Sequence, residues 1–128
     1  MAVKTRIFRV GESDFYGDEI LDAPETHTIQ RLKAVSDVGF NGIWLRGRLR
    51  DLAPGALFEN YVKDVNERLK SLKTLCKRAE KYNIGVWLFF TEPLGLPCEH
   101  DFWKKNPELK GHKTKILDEE TEYSLCSS

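Results

Sequence analysis

Residues 61–90, YVKDVNERLKSLKTLCKRAEKYNIGVWLFF, pass from one hydrophobic period to another without a break. In the first part Val62, Val65, Leu69, Leu72, Cys76 and Ala79 recur at gaps of three and four, the spacing that gathers side chains on one helical face. This predicts a helix over about 61–82, with Cys76 as core filler. Asn83 suits the helix end, because asparagine tolerates the left-handed conformation that closes a helix. The second part, IGVWLFF, is apolar at every position. A strand of that kind is expected to be covered on both faces, as strands of parallel sheets are.

The same helix-then-strand order stands upstream. Ile29, Leu32, Val35 and Val38 share a helical face, which predicts a helix at 28–38. Thr26 or Thr28 can cap its start, and Gly39 falls where a C-terminal glycine belongs. FNGIWL follows at once as a strand, and TRIFRV at 5–10 reads as an earlier one. The loop GESDFYGDEILDAPETHT is punctuated by Gly, Asp and Pro and reads as irregular, as do RGRLRD and LAPGALFEN. Strand, helix, strand, helix, strand is the order of an α/β fold with right-handed crossovers. We therefore expect strands near 5–10, 42–46 and 84–91 side by side in one parallel sheet, with both helices on one side. That is a βαβαβ segment of a (β/α)₈, or TIM, barrel. Beyond it, CEHDFWKKNPE reads as a short helix broken before Pro107, and HKTKILDEETEYSLCSS as two short strands around DEET. No internal repeat or low-complexity linker divides the chain, so residues 1–128 are expected to form one domain.

Two features point to an incomplete barrel. Ser127-Ser128 looks like a helix N-cap with no helix after it. A three-stranded sheet with two helices would also leave one face of the apolar third strand uncovered. The other reading is a compact three-layer domain covered by its own C-terminal segment.

Composition narrows the function classes. Apolar residues make up 41% and charged residues 31%, with a net charge of zero. Such a chain has no basic surface for non-specific nucleic-acid binding. No apolar run approaches the roughly 18 residues of a membrane span, and MAVKTRIFRV is too mixed for a signal peptide, so the cytoplasm is the expected compartment. Cys76, Cys98 and Cys126 form neither a disulfide framework nor a zinc pattern, and His27, His100 and His112 are isolated. With no GxGxxG, phosphate loop or GxSxG, no cofactor is expected.

Ligands of barrels and open α/β sheets bind at the carboxyl ends of the strands. Three places qualify: the loop after the first strand, with Glu12, Asp14, Tyr16 and Asp18; the end of the second, with Trp44, Arg46 and Arg48; and the end of the third, with Thr91, Glu92, His100 and Asp101. Alternation puts Trp44, Arg46 and Arg48 on one face and Ile43 and Leu45 on the other. An arginine there can fork onto a carboxylate or a hydroxyl pair, or it can simply pair with Asp51. Glu92, extended by Pro93, is the best catalytic carboxylate, but glycoside hydrolysis needs two flanking the bond. Trp44, Trp87, Phe89, Phe90 and Trp103 can stack on sugar rings, although most are expected in the core.

At FNGIWLRGRLRDLAP, and again at YNIGVWLFFTEPLGLPCEHDFWKKNPELKG, the chain resembles the N-terminal part of bacterial glycoside-hydrolase-like (β/α)₈ barrels related to the family-twenty hexosaminidases and the α-glucuronidases. In those proteins a helix leads into an NG-(apolar)-WL strand. A later strand ends in NEP, followed by a PELKG loop and an LC-S strand end, which YSLCSS matches. The likeness covers most of residues 30–128. A weaker likeness is to the α-amylase superfamily, whose pattern has an Asn-His pair where this chain has Glu92-Pro93. The resemblance implies a carbohydrate ligand. It also implies catalytic carboxylates after the fourth strand or later, beyond the three strands read here. Arg46, Arg48, Glu92, Trp44 and Asp101 would then bind substrate, and the isolated chain would not hydrolyse glycosides at enzymatic rates. A complete barrel takes about 250 residues, against 128 here. Two other classes stand beside this one: a non-catalytic assembly domain whose open sheet is covered by a partner or by self-association, and a barrel aldolase or isomerase acting on a phosphorylated sugar.

Overall fold

A computed structural model of the chain describes residues 4–10, 17–90, 95–115 and 122–126. The chain divides into two compact units, Met1–Phe90 and Thr91–Ser128. The first unit is built on a parallel sheet of three strands, β1 (Ile7–Phe8), β2 (Gly42–Gly47) and β3 (Gly85–Phe90), in that spatial order. Between β1 and β2 lie the single turn α1 (Ala23–Thr26) and the helix α2 (Ile29–Asp37). Between β2 and β3 lie the short turns α3 (Leu49–Leu52) and α4 (Gly55–Phe58) and the long helix α5 (Val65–Glu80). The expected βαβαβ order and parallel pairing are present, making the unit α/β.

Local chemistry sets the helix limits. The Thr28 hydroxyl caps α2 by accepting from Arg31 N at 3.2 Å. Gly39, at φ +86°, ends that helix in the left-handed region, and Asn83, at φ +55°, does so after α5. The helix predicted over 61–82 starts later, at Val65, because Asp64 at φ +60° breaks the run before it. The stretches RGRLRD and LAPGALFEN, read as loops, contain the turns α3 and α4.

Both helices pack on one face of the sheet. Leu32 and Val35 of α2, Leu75 and Ala79 of α5, and Ile43 and Leu45 of β2 form one cluster, with Val86 and Leu88 of β3 partly buried against it. The stripe of α5 therefore runs through Leu72, Leu75 and Ala79, and Cys76, expected in the core, is exposed. Val62 lies outside the helix, and the buried stripe takes position 75 rather than 76, one residue from the 62–79 spacing. Partial desolvation still pushes the Cys76 thiol up, away from an activated thiolate.

The opposite face of the sheet is open. Trp87 and Phe89 are 49% and 46% exposed, so β3 is covered on one face rather than on both. These rings, expected mostly in the core, belong to it no more than Trp44, which is half-buried beside Phe89 with centroids 5.2 Å apart. The amino end of β1 is fastened by Asn41: its Oδ1 accepts from Arg6 N at 2.7 Å and its Nδ2 donates to Lys4 O at 3.4 Å.

The second unit has an antiparallel sheet in the order β4 (Leu96–Pro97), β6 (Glu122–Cys126), β5 (Lys110–Lys115), with α6 (Asp101–Lys105) and a 3₁₀ turn at Pro107–Leu109. The strand pair around DEET and the short helix before Pro107 were both expected. Phe102, Trp103 and Cys98 are buried, and the two rings meet edge to face at 5.0 Å. The His100 imidazole caps α6 by accepting from Phe102 N at Nδ1. No helix among the described residues is long and apolar enough to cross a membrane.

Candidate functional site

A cavity of about 170 Å³ opens at the carboxyl ends of β1 and β2, where parallel sheets hold ligands. Among the described residues its walls include Arg9, Asp18, Glu19, Asp22, His27 and Trp44. The segment Gly17–Asp22 brings Glu19 there, and three contacts hold that segment. Asp18 Oδ1 accepts from Leu21 N at 3.0 Å, closing a local turn. Asp18 Oδ2 accepts from Arg68 Nε on α5 at 2.6 Å. Ile20, 1% exposed, lies over Gly47 so closely that a Cβ there would sit 2.5 Å from its Cδ1. Only glycine at the end of β2 leaves room for this approach.

With the segment fixed, Glu19 faces the strand end. Its Oε2 accepts from Arg46 N at 2.8 Å, a bond that also satisfies the β2 backbone where the ladder stops. Its Oε1 stands 3.6 Å from the Arg46 guanidinium and 3.9 Å from that of Arg9. Arg9 in turn lies over the Trp44 ring, 4.3 Å from its centroid. Glu19 thus sits between two cations and beside an aromatic ring. Oε1 is buried yet has no hydrogen-bond partner among the described residues. The same holds for His27 Nδ1, on an imidazole that is 1% exposed. Burial holds His27 below the usual histidine range, nearby Arg31 adds to this, and Glu19 opposes both. The imidazole is therefore neutral at pH 7.

The residues named from sequence are distributed unevenly. Trp44 lines the cavity, and Arg46 pairs with the lining residue Glu19. Arg48 pairs with Asp51 at 2.5 Å, so its guanidinium is held structurally, and Asp51 is buried, its backbone carbonyl accepting from Arg68 Nη1 at 3.5 Å. Asp101 belongs to the second unit, where it is exposed and paired with Lys104 at 2.8 Å. That pairing holds its carboxyl below the usual range. Glu92 lies outside the described residues, as do Glu12, Asp14, Tyr16 and Thr91.

Glu19 and His27 were missed. Glu19 directly precedes the buried Ile20 in the sequence GDEIL, a charge next to an apolar anchor in the loop after the first strand. That signal was available. His27 stands at no metal-ligand spacing, and nothing in PETHT marks it as buried. Among the described residues no group of three or more His, Cys, Asp and Glu side chains is arranged to hold a metal ion. No family model, curated protein or solved structure matches the chain.

Proposed function

We propose that this chain binds carbohydrate at the carboxyl ends of β1 and β2, as part of a glycoside-hydrolase-like (β/α)₈ barrel. The observation that supports this reading is the pairing of an aromatic wall, Trp44, with the inward carboxylate of Glu19 in one cavity. Sugars present an apolar ring face and a polar rim of hydroxyls, and a ring beside a fixed carboxylate answers both. The cavity is smaller than the roughly 300–1,000 Å³ of pockets that enclose whole drug-sized ligands. It suits one edge of one sugar ring. The barrel part of the reading draws on helices packed on one sheet face only, with aromatic side chains on the other.

The test is titration of simple glycosides into the isotopically labelled chain. Saturable movement of the Trp44 indole N–H, with the Trp103 indole unmoved, is the expected result. A panel of neutral, acidic and amino sugars that moves nothing in the cavity would remove the reading. Hydrolysis is a separate matter, because two opposed carboxylates are required and Glu19 is tied to Arg46. Aryl glycosides are expected to remain uncleaved by this chain. Turnover abolished by Glu92→Gln would show a complete active site instead.

A second reading follows from the open sheet face: a non-catalytic domain whose Trp87 and Phe89 are covered by another chain. Sedimentation that stays monomeric at high concentration, with no dye binding, would count against self-association as that cover.

A further inference from the structure

We infer that the cavity selects an uncharged sugar edge, with two hydroxyl groups meeting Glu19 Oε1 and His27 Nδ1, and that it discriminates against uronates and amino sugars. This rests on the carbohydrate reading above and deepens it. Among the described residues, two buried polar atoms on one small cavity have no hydrogen bond, and Glu19 Oε1 has only its long ion pairs to Arg46 and Arg9. Buried polar atoms are nearly always hydrogen-bonded, and each one left alone costs about 1–3 kcal/mol. Here Glu19 Oε1 and His27 Nδ1 are both buried without a hydrogen-bond partner among the described residues, and both residues line the same cavity of about 170 Å³.

The chemistry of the two atoms limits what can satisfy them. Glu19 Oε1 can only accept, so it requires a donor, and a carboxylate ligand has none to offer. A uronate would also bring a third negative charge to a wall that already holds Glu19 and Asp22. An ammonium group could donate, but Arg46 and Arg9 already stand 3.6 and 3.9 Å from that oxygen. With Asp22 on the same wall, two carboxylates stand with the two guanidiniums, and a third cation would meet two others at close range. A hydroxyl donates without charge. It also suits His27 in either neutral tautomer, because a hydroxyl gives a hydrogen bond to a bare nitrogen and takes one from an N–H. Asp18 is committed to Arg68 and the Leu21 amide, so it does not compete for the same hydroxyls.

The experiment uses the full chain and three series of probes at pH 7. Methyl glucoside, galactoside and mannoside test neutral rings. The uronate and the amino sugar of whichever configuration binds are then compared with it. At least one neutral glycoside is expected to saturate, with shifts at Glu19 and His27 and affinity at least about tenfold above its charged counterparts. His27→Phe keeps an aromatic ring, slightly larger, and deletes Nδ1. It should weaken the neutral glycoside about tenfold, the worth of roughly 1.4 kcal/mol, while the melting temperature holds or rises because an orphaned polar atom has gone. If His27→Phe does not fold, His27→Gln replaces it, and the charge comparison on the unaltered chain stands regardless. A uronate or amino sugar binding as tightly as the neutral ring would overturn the selectivity and leave the carbohydrate reading intact. So would a folded His27→Phe with unchanged affinity. Failure of every sugar to bind would remove both.

Discussion

On one face of the β1–β2–β3 sheet, Ile43 and Leu45 are sealed at 0% and 2% exposure, while on the other Trp87 and Phe89 stand at 49% and 46%. The two sets alternate along neighbouring strands and are comparably apolar. What separates them is the helix pair: Leu32, Val35, Leu75 and Ala79 all converge on the first face. An apolar strand residue thus reports that a cover is required and leaves open what supplies it. On the helix face the cover comes from the same unit. On the aromatic face it is left to Trp44, Phe89 and the guanidinium of Arg9 at the cavity end.

The comparison is sharpest in the energetics. Leu75→Ala on the covered face should lower unfolding free energy by about 2–5 kcal/mol, seen as a lower urea midpoint, since it removes fully buried methyl groups and leaves a cavity. Asp18→Asn should cost about 1–3 kcal/mol, because it strips the charged partner from Arg68, whose side chain is 11% exposed. It should also loosen the Glu19 segment and dull the Trp44 response to sugars. Trp87→Ser on the open face should cost less, about 1–2 kcal/mol, because half of the ring is already exposed, while reducing dye binding. A loss as large as that of Leu75→Ala would show that the aromatic face has a cover of its own.

The smallest effect is in pH. His27 is held below its unfolded value of about 6.5, so the unfolded chain takes up the proton first as pH falls. Stability should therefore decline from about pH 6.5 downward until the folded imidazole also titrates. His27→Phe should flatten that part of the curve, and thermal melts between pH 7.5 and 5 in both proteins measure it. An identical slope in both would remove His27 as its source.

The sequence made the strand–helix alternation legible because long periodic runs and end signals agree: Thr28, Gly39 and Asn83 all act where they were read. The phase of α5 was not legible. Val62 looks like one run with Val65 and Leu69, but the left-handed Asp64 separates it from them, and a shift of a single residue exchanges Leu75 for Cys76. The cavity was legible in part. Strand alternation places Trp44 and Arg46 on one face, but the Glu19–Arg46 contact joins positions 27 residues apart. No local spacing encodes such a pairing. It depends on Ile20 settling on Gly47, and that is a matter of tertiary fit.

Asn41 has a consequence at the far rim of the sheet. β1 pairs with β2 through only Ile7 and Phe8, so the Asn41 carboxamide, gripping Arg6 and Lys4, does much of the aligning that a longer ladder would do. A strand advances about 3.3 Å per residue, which places Arg9 some 10 Å downstream of that grip. The guanidinium over Trp44 is thus indexed from the opposite end of the strand. Asn41→Ala should quicken amide exchange along residues 5–9 and let Arg9 wander from the indole, altering the cavity mouth through a residue that touches none of it.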